Sequence, residues 1–202
     1  MTTENPERPI GKAVPADADA ISETLALAFF DDPVFQWLFP DSTGRKQRMD
    51  AMFKLMFHYD VKHGYIRKSP DCHATSFWRS PGTAEIPTLS VIPMLIPLLA
   101  IYRSSFGKML NLTNAIKHNL PKGRPFYYVH FVGVRPDDQH QGWGTAMMKD
   151  GIAKADAEGV AVYLETALES NVTFYQHLGF TVTGEWHIKD GPKMWSMLRE
   201  PG

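Results

Sequence analysis

The apolar positions of this chain change rhythm once, near residue 126. Before that point they recur mainly at helical spacing. Ile21, Leu25 and Ala28 share one face of a helix predicted over residues 15–30, with Asp17 as its cap. Asp31-Asp32-Pro33 stops it, because proline disfavours helix at the residue before it. Residues 34–39 form a short aromatic segment closed by Pro40. Met49, Met52, Phe53, Met56 and Phe57 repeat at three and four within residues 42–63, a second long helix that Gly64 ends. Residues 9–14 read as a short first strand. Residues 65–68 and 74–78 read as two strands around a turn at Ser69-Pro70-Asp71. Residues 88–120 carry two helical pieces, the second from about residue 104 to 119.

From residue 126 strands and helices alternate. The pattern predicts a strand over 126–134, a helix over 142–158, a strand over 160–165 and a helix over 171–178. Strands near 180–187 and 194–198 follow. This implies an α/β fold with a mixed sheet and helices on its faces. The chain has 202 residues and no internal repeat, which suits one domain, residues 1–202, with halves at 1–125 and 126–202.

Composition narrows the function classes. A net charge of −1 leaves no electrostatic footprint for nucleic acid. The single cysteine, Cys72, excludes an internal disulfide and suits a reducing, cytoplasmic setting. The first fourteen residues lack the basic start and apolar run of a signal peptide. Residues 89–102, LSVIPMLIPLLAIY, are strongly apolar. They fall short of the roughly 20 residues of a spanning helix, and Pro93 and Pro97 interrupt them. They read as buried or pocket-lining, with no membrane partner expected. The histidines show no metal-ligand spacing, so no metal is expected.

The strongest chemical signal is the segment FVGVRPDDQHQGWGTAMM. A strand ends at Val134, a turn follows, and Gln139, Gly142 and Gly144 fall at the spacing Q-x-x-G-x-G before a helix whose face carries Met148, Ile152 and Ala155. Glycines let a ligand approach the backbone closely. The first amides of a helix lack internal partners and lie at the positive end of its dipole, so the loop can hold a phosphate or pyrophosphate. A P-loop would need Lys and Ser/Thr after its second glycine, where Thr145 and Ala146 stand. A dinucleotide fingerprint would need a third glycine where Met147 stands.

Together with LETALESNVTFYQHLGFTVTG, this segment resembles the GNAT superfamily, the Gcn5-related N-acetyltransferases. The wording of the last 80 or so residues is similar to puromycin N-acetyltransferase and its relatives. The resemblance implies a mixed sheet of six to seven strands, splayed where acetyl-CoA binds. It implies pyrophosphate contacts from Gln139, His140, Gln141, Gly142, Trp143, Gly144 and Thr145. Val132, Gly133 and Val134 would meet the pantetheine arm, and Asn171 would contact the coenzyme nearby.

It also implies that Tyr175 acts as general acid to the departing thiolate. Glu165 closes an apolar strand, and a carboxylate there is costly unless it faces solvent or a site, so it is the expected base or amine ligand. Asn171 is also a good helix cap in its own right. His130, two residues before Val132 and so expected on the same face, is an alternative base or a structural histidine. His118 is a weaker candidate. Trp37, Phe35, Phe53, Phe57, Tyr59 and Trp78 are either ordinary core or the wall of an aromatic acceptor pocket. The expected function is acetyl transfer from acetyl-CoA to a primary amine of a small molecule. The alternative is a non-catalytic acyl-CoA-binding or regulatory module on the same fold. Oligomeric state is not legible.

Overall fold

Seven strands form one sheet with helices on both faces in the computed structural model, which describes residues 8–202. Strand β1 (Gly11–Lys12) leads through a short 3-10 turn to α1 (Ala18–Ala28), α2 (Pro33–Leu38) and α3 (Ser42–His63). Strands β2 (Gly64–Lys68) and β3 (Ala74–Arg79) follow, then α4 (Thr88–Val91), α5 (Leu95–Tyr102) and α6 (Phe106–Asn119). The second half runs β4 (Phe126–Val134), α7 (Trp143–Ala157), β5 (Ala161–Thr166), α8 (Glu169–Gln176), β6 (Thr181–His187) and β7 (Lys193–Arg199). The sheet order is β1-β2-β3-β4-β5-β7-β6. The mixed sheet is the one expected.

All neighbouring strands are antiparallel except β4 and β5. That parallel pair joins only Phe126, Tyr127 and Tyr128 to Ala161, Val162 and Tyr163. Beyond it β4 stays paired to β3 as far as Val134, and β5 stays paired to β7 as far as Thr166. Each strand keeps its outer partner and loses its inner one. The sheet therefore opens into a slit between β4 and β5, towards the carboxyl ends of both strands.

Periodicity explains which helix lies where. The α1–α3 side buries Ile21, Leu25, Met49, Met52, Phe53, Met56 and Phe57 against the sheet. Phe29, Phe35, Phe53 and Phe131 pack ring to ring there, with centroids 5.0–6.1 Å apart. On the other face α7 brings Met148, Ile152 and Ala155 against Trp78, Val129, Val162 and Leu164. Gly151 lets α7 approach, since a methyl group there would sit 2.1 Å from the Trp78 ring. The end of α6 covers Phe126, Tyr128 and Tyr163 on the α3 side.

Four expectations change. Asp17 stands at the N-cap position of α1 but makes no side-chain cap bond to it; its carboxylate accepts from the Val14 amide at 2.8 Å in the preceding turn and pairs with Lys68. Asn171 is not a cap either. Helix α8 begins at Glu169 after Leu168, and the Asn171 amide already donates to Leu168. His130 and Val132 face opposite sides, because a bulge opposite Phe77/Trp78 adds one residue to β4 and reverses the alternation. Val132 joins the α7 side, whereas His130 reaches Asp60 of α3. Lastly, residues 89–102 are largely exposed rather than buried. Met94, Leu98, Ile101 and Tyr102 are buried, and Val91 packs partly against the same core. The aromatic candidates divide as well: Phe35, Phe53, Phe57 and Trp78 are core, and Trp37 is a partly buried side chain donating to the Asp190 carbonyl at 2.6 Å.

Candidate active site

The slit widens into a cavity of about 890 Å³. Val132, Gly133 and Val134 form one wall, and Phe29 and Asp32 another. Asn171, Phe174 and Tyr175 close it from α8, and the glycine loop closes its end. Of the sequence-derived candidates, Gln139, His140, Gly142, Trp143, Gly144 and Thr145 also line it, whereas Gln141 and Glu165 do not. The Gln141 carbonyl turns outward and accepts from Arg8, whose guanidinium stacks on the Trp143 ring.

The loop is shaped by its glycines and by two glutamine side chains. Gln139 Nε2 donates to the Val134 carbonyl at 3.2 Å and Gln141 Nε2 to the Asp137 carbonyl at 3.3 Å. Gly142, directly before α7, has φ of 85°, a conformation that other residues adopt only with strain. Among the described residues no side chain caps α7, and its first turn holds no acid. Trp143, Gly144 and Thr145 line the cavity, and their amides, in the first turn of α7, have no helical partner. An anion such as a pyrophosphate meets both these donors and the dipole. Gly133 serves a different purpose: a methyl group there would lie 2.7 Å from Leu25 and 3.1 Å from Ala28, so glycine lets α1 close against β4 beside the slit.

Tyr175 is buried, and its phenol is pushed up to about 12, mainly by burial and further by the Asp32 carboxylate. Asp32 is a site residue that the sequence did not single out beyond its helix-stopping context. It accepts from the Val34 amide at 2.8 Å as the cap of α2. Burial raises its carboxyl to about 6, against the lowering effect of the Val34 and Phe35 amides. The Asp-Pro pair announces the cap, but only the fold turns that cap towards α8.

Glu165 lies on the other side of the sheet, with the alternation of Tyr163. Burial raises its carboxyl to about 7, offset in part by Tyr128, Tyr163 and the Arg79 charge. Its Oε1 is enclosed without a hydrogen-bond partner among the described residues. Beside it, Asp60 is fully buried, accepting from Arg79 Nε at 2.7 Å and pairing with His130 Nδ1 at 2.5 Å. The Asp60 carboxyl is held below its ordinary value by His130 and Arg79 despite its burial. The His130 pKa is lowered by burial and by Arg79. His130 is thus committed to a buried network. His118 is exposed on α6, away from the cavity lining.

A sheet split between two parallel strands, above an uncapped helix start, has a counterpart among known proteins. Residues 110–182 match the acetyltransferase (GNAT) domain, a span that takes in β4, the glycine loop, β5 and α8. Over these residues the chain is similar to the GNAT superfamily, and its sheet as a whole has the GNAT fold. An uncharacterized N-acetyltransferase of Schizosaccharomyces pombe is 26% identical over 92% of this chain and 80% of its own length. A Corynebacterium glutamicum structure described as histone acetyltransferase HPA2 and related acetyltransferase superposes with a TM-score of 0.74 at 23% identity, covering 97% of each chain. Arylalkylamine N-acetyltransferase 2 of Aedes aegypti gives 0.68 at 13% identity, covering 96% of this chain and 99% of the other. Within the GNAT fold the cavity described above is the opening between the parallel strands.

Proposed function

We propose that this protein transfers an acetyl group from acetyl-CoA to a primary amine of a small molecule, by direct attack in a ternary complex. The observation that carries this reading is the meeting of three features in one cavity: the slit between β4 and β5, the uncapped start of α7, and the buried phenol of Tyr175. The pyrophosphate would rest on the amides from His140 to Thr145, and the pantetheine arm would lie along Val132, Gly133 and Val134 beside Asn171. A thioester in the slit presents one side to α8 and the other to the face carrying Glu165.

In this arrangement the amine nitrogen bonds to the thioester carbon as the carbon–sulfur bond breaks. The attacking amine is neutral, and Glu165, with a carboxyl near 7, takes the proton that its nitrogen sheds as the new bond forms, directly or through water. Tyr175 stays protonated and supplies its proton to the departing sulfur. A β4 amide donates to the developing oxyanion, and holding both reactants in one slit supplies much of the rate. The amine chemistry named for the Aedes aegypti protein accords with this reading.

The test is incubation with acetyl-CoA and a panel of small amines, puromycin included, with mass detection of the N-acetylated product. Product from at least one amine supports the enzyme. Tight coenzyme A binding with no product over a broad panel supports a binding module instead.

A further inference from the structure

The stretch between β3 and β4 leaves an apolar surface that no described part of the protein covers. Leu89, Ile92, Ile96 and Leu99 are 80, 64, 81 and 47% exposed. They succeed one another at three, four and three residues, so they share one outward side of the α4–α5 segment. Leu95, Pro93 and Pro97 are exposed alongside. The inward side of the same segment is apolar too, with Met94, Leu98, Ile101 and Tyr102 buried in the core. A helix apolar all round needs an apolar partner on both sides.

The whole run Thr88–Asn119 contains an 18-residue window of mean hydropathy 1.6, of which only 28% is buried. It does not continue as one straight spanning rod. Its backbone turns at Arg103, with φ of 48°, and its inner side is packed into the domain. The segment therefore offers a surface that can lie on an apolar phase rather than cross it.

Charge says which partner fits. Residues 86–125 contain five lysines and arginines and no aspartate or glutamate. Lys117 and Arg124 are paired with Glu85 and Glu200, whereas Arg103, directly after α5 and four positions beyond Leu99, forms no ion pair among the described residues. The chain as a whole carries −1, so the absence of acid here is local. The stripe is purely aliphatic, and the aromatic Tyr102 is turned inward. Protein interfaces concentrate binding in Tyr, Trp and Arg anchors at their centre. An aliphatic stripe that ends at an unpaired arginine, in a stretch free of acid, instead matches the two requirements of an anionic bilayer surface: acyl chains to take the side chains and headgroups to attract the charge.

We propose that the α4–α5 segment is a membrane-docking surface, by which the protein binds reversibly to anionic phospholipid bilayers through Leu89, Ile92, Ile96 and Leu99, aided by Arg103. This inference does not depend on the acetyl-transfer reading.

The experiment is co-sedimentation of the full chain with phosphatidylcholine vesicles, and with vesicles in which about a third of the lipid is phosphatidylglycerol. Wild type is expected in the pellet with the anionic vesicles, binding them roughly fivefold more tightly than the zwitterionic ones, with the difference falling as salt rises. The double variant Ile92→Asp/Ile96→Asp should stay in the supernatant with an unchanged melting temperature, because neither side chain is in the core. Wild type remaining in the supernatant with both vesicle types overturns the proposal. So does a wild-type dimer in light scattering that the double variant converts to a monomer, which would assign the stripe to a second copy of the chain.

Discussion

The carboxylate of Asp32, on the cap of α2, raises the proton affinity of the Tyr175 phenol on α8. Both residues line the cavity, although 143 positions of chain separate them. A phenol near 12 holds its proton more firmly than a thiol near 8.5, so the Asp32 charge keeps Tyr175 loaded while making full transfer harder. Asp32→Asn keeps an acceptor for the Val34 amide and removes the charge. The Tyr175 titration is expected to move down from about 12, read as the ultraviolet difference between Asp32→Asn and Asp32→Asn/Tyr175→Phe. An unmoved titration would sever the link between the two residues.

Glu165 sets the expected pH dependence. A base must be unprotonated to accept the amine proton, so kcat/KM should climb with pH through about 7 and then level. Tyr175 remains protonated over this range and contributes no descending limb there. Glu165→Gln should remove the limb near 7 and lower the plateau by roughly 10²–10⁴-fold. A limb that persists in this variant points to Asp32, whose carboxyl lies near 6, as the group that titrates.

The same carboxyl has a consequence for stability. Its folded value, about 7, lies above the ordinary 4.5, so the folded state binds more protons than the unfolded state between those values. The stability it contributes is complete below about 4.5 and is lost as pH rises through 7. At pH 8 the buried charge costs about 3 kcal/mol. Glu165→Gln should therefore unfold at higher denaturant than wild type at pH 8, with the advantage shrinking towards pH 5. Equal stabilities at both pH values would show that Glu165 is not buried as described.

Much of this site was legible in the sequence because its signals are local. The glycine loop, the strand before it and Tyr175 stand at fixed spacings, and strand β4 and helix α3 have the bounds that periodicity predicts. What the sequence hid depends on contacts between distant segments. The extra residue in β4 reverses the face of Val132 relative to His130, and nothing in the string FYYVHFVGV marks it. Asp32 reads as a helix stop until α8 is seen beside it. Residues 89–102 looked buried because hydrophobicity reports a need for cover, not the cover itself.

The two loop glycines should separate fold from binding. Gly142 occupies a left-handed conformation, so Gly142→Ala should cost about 1 kcal/mol of stability and weaken coenzyme A binding. At Gly144 a methyl group meets only Phe174 at 3.7 Å and Val134 at 4.0 Å, ordinary contacts that the fold tolerates. Gly144→Ala should keep the wild-type melting temperature while weakening coenzyme A in calorimetric titration. Unchanged affinity in both variants would move the anion site away from this loop.

In the proposed reaction Tyr175 acts at a thioester bound in the slit. Amine-dependent release of free coenzyme A from acetyl-CoA, compared between wild type and Tyr175→Phe, measures that act. With any amine that wild type accepts, the variant should turn over roughly 10²-fold or more slowly while binding coenzyme A with an affinity within about twofold of wild type. A variant with the wild-type turnover number would exclude Tyr175 as the acid.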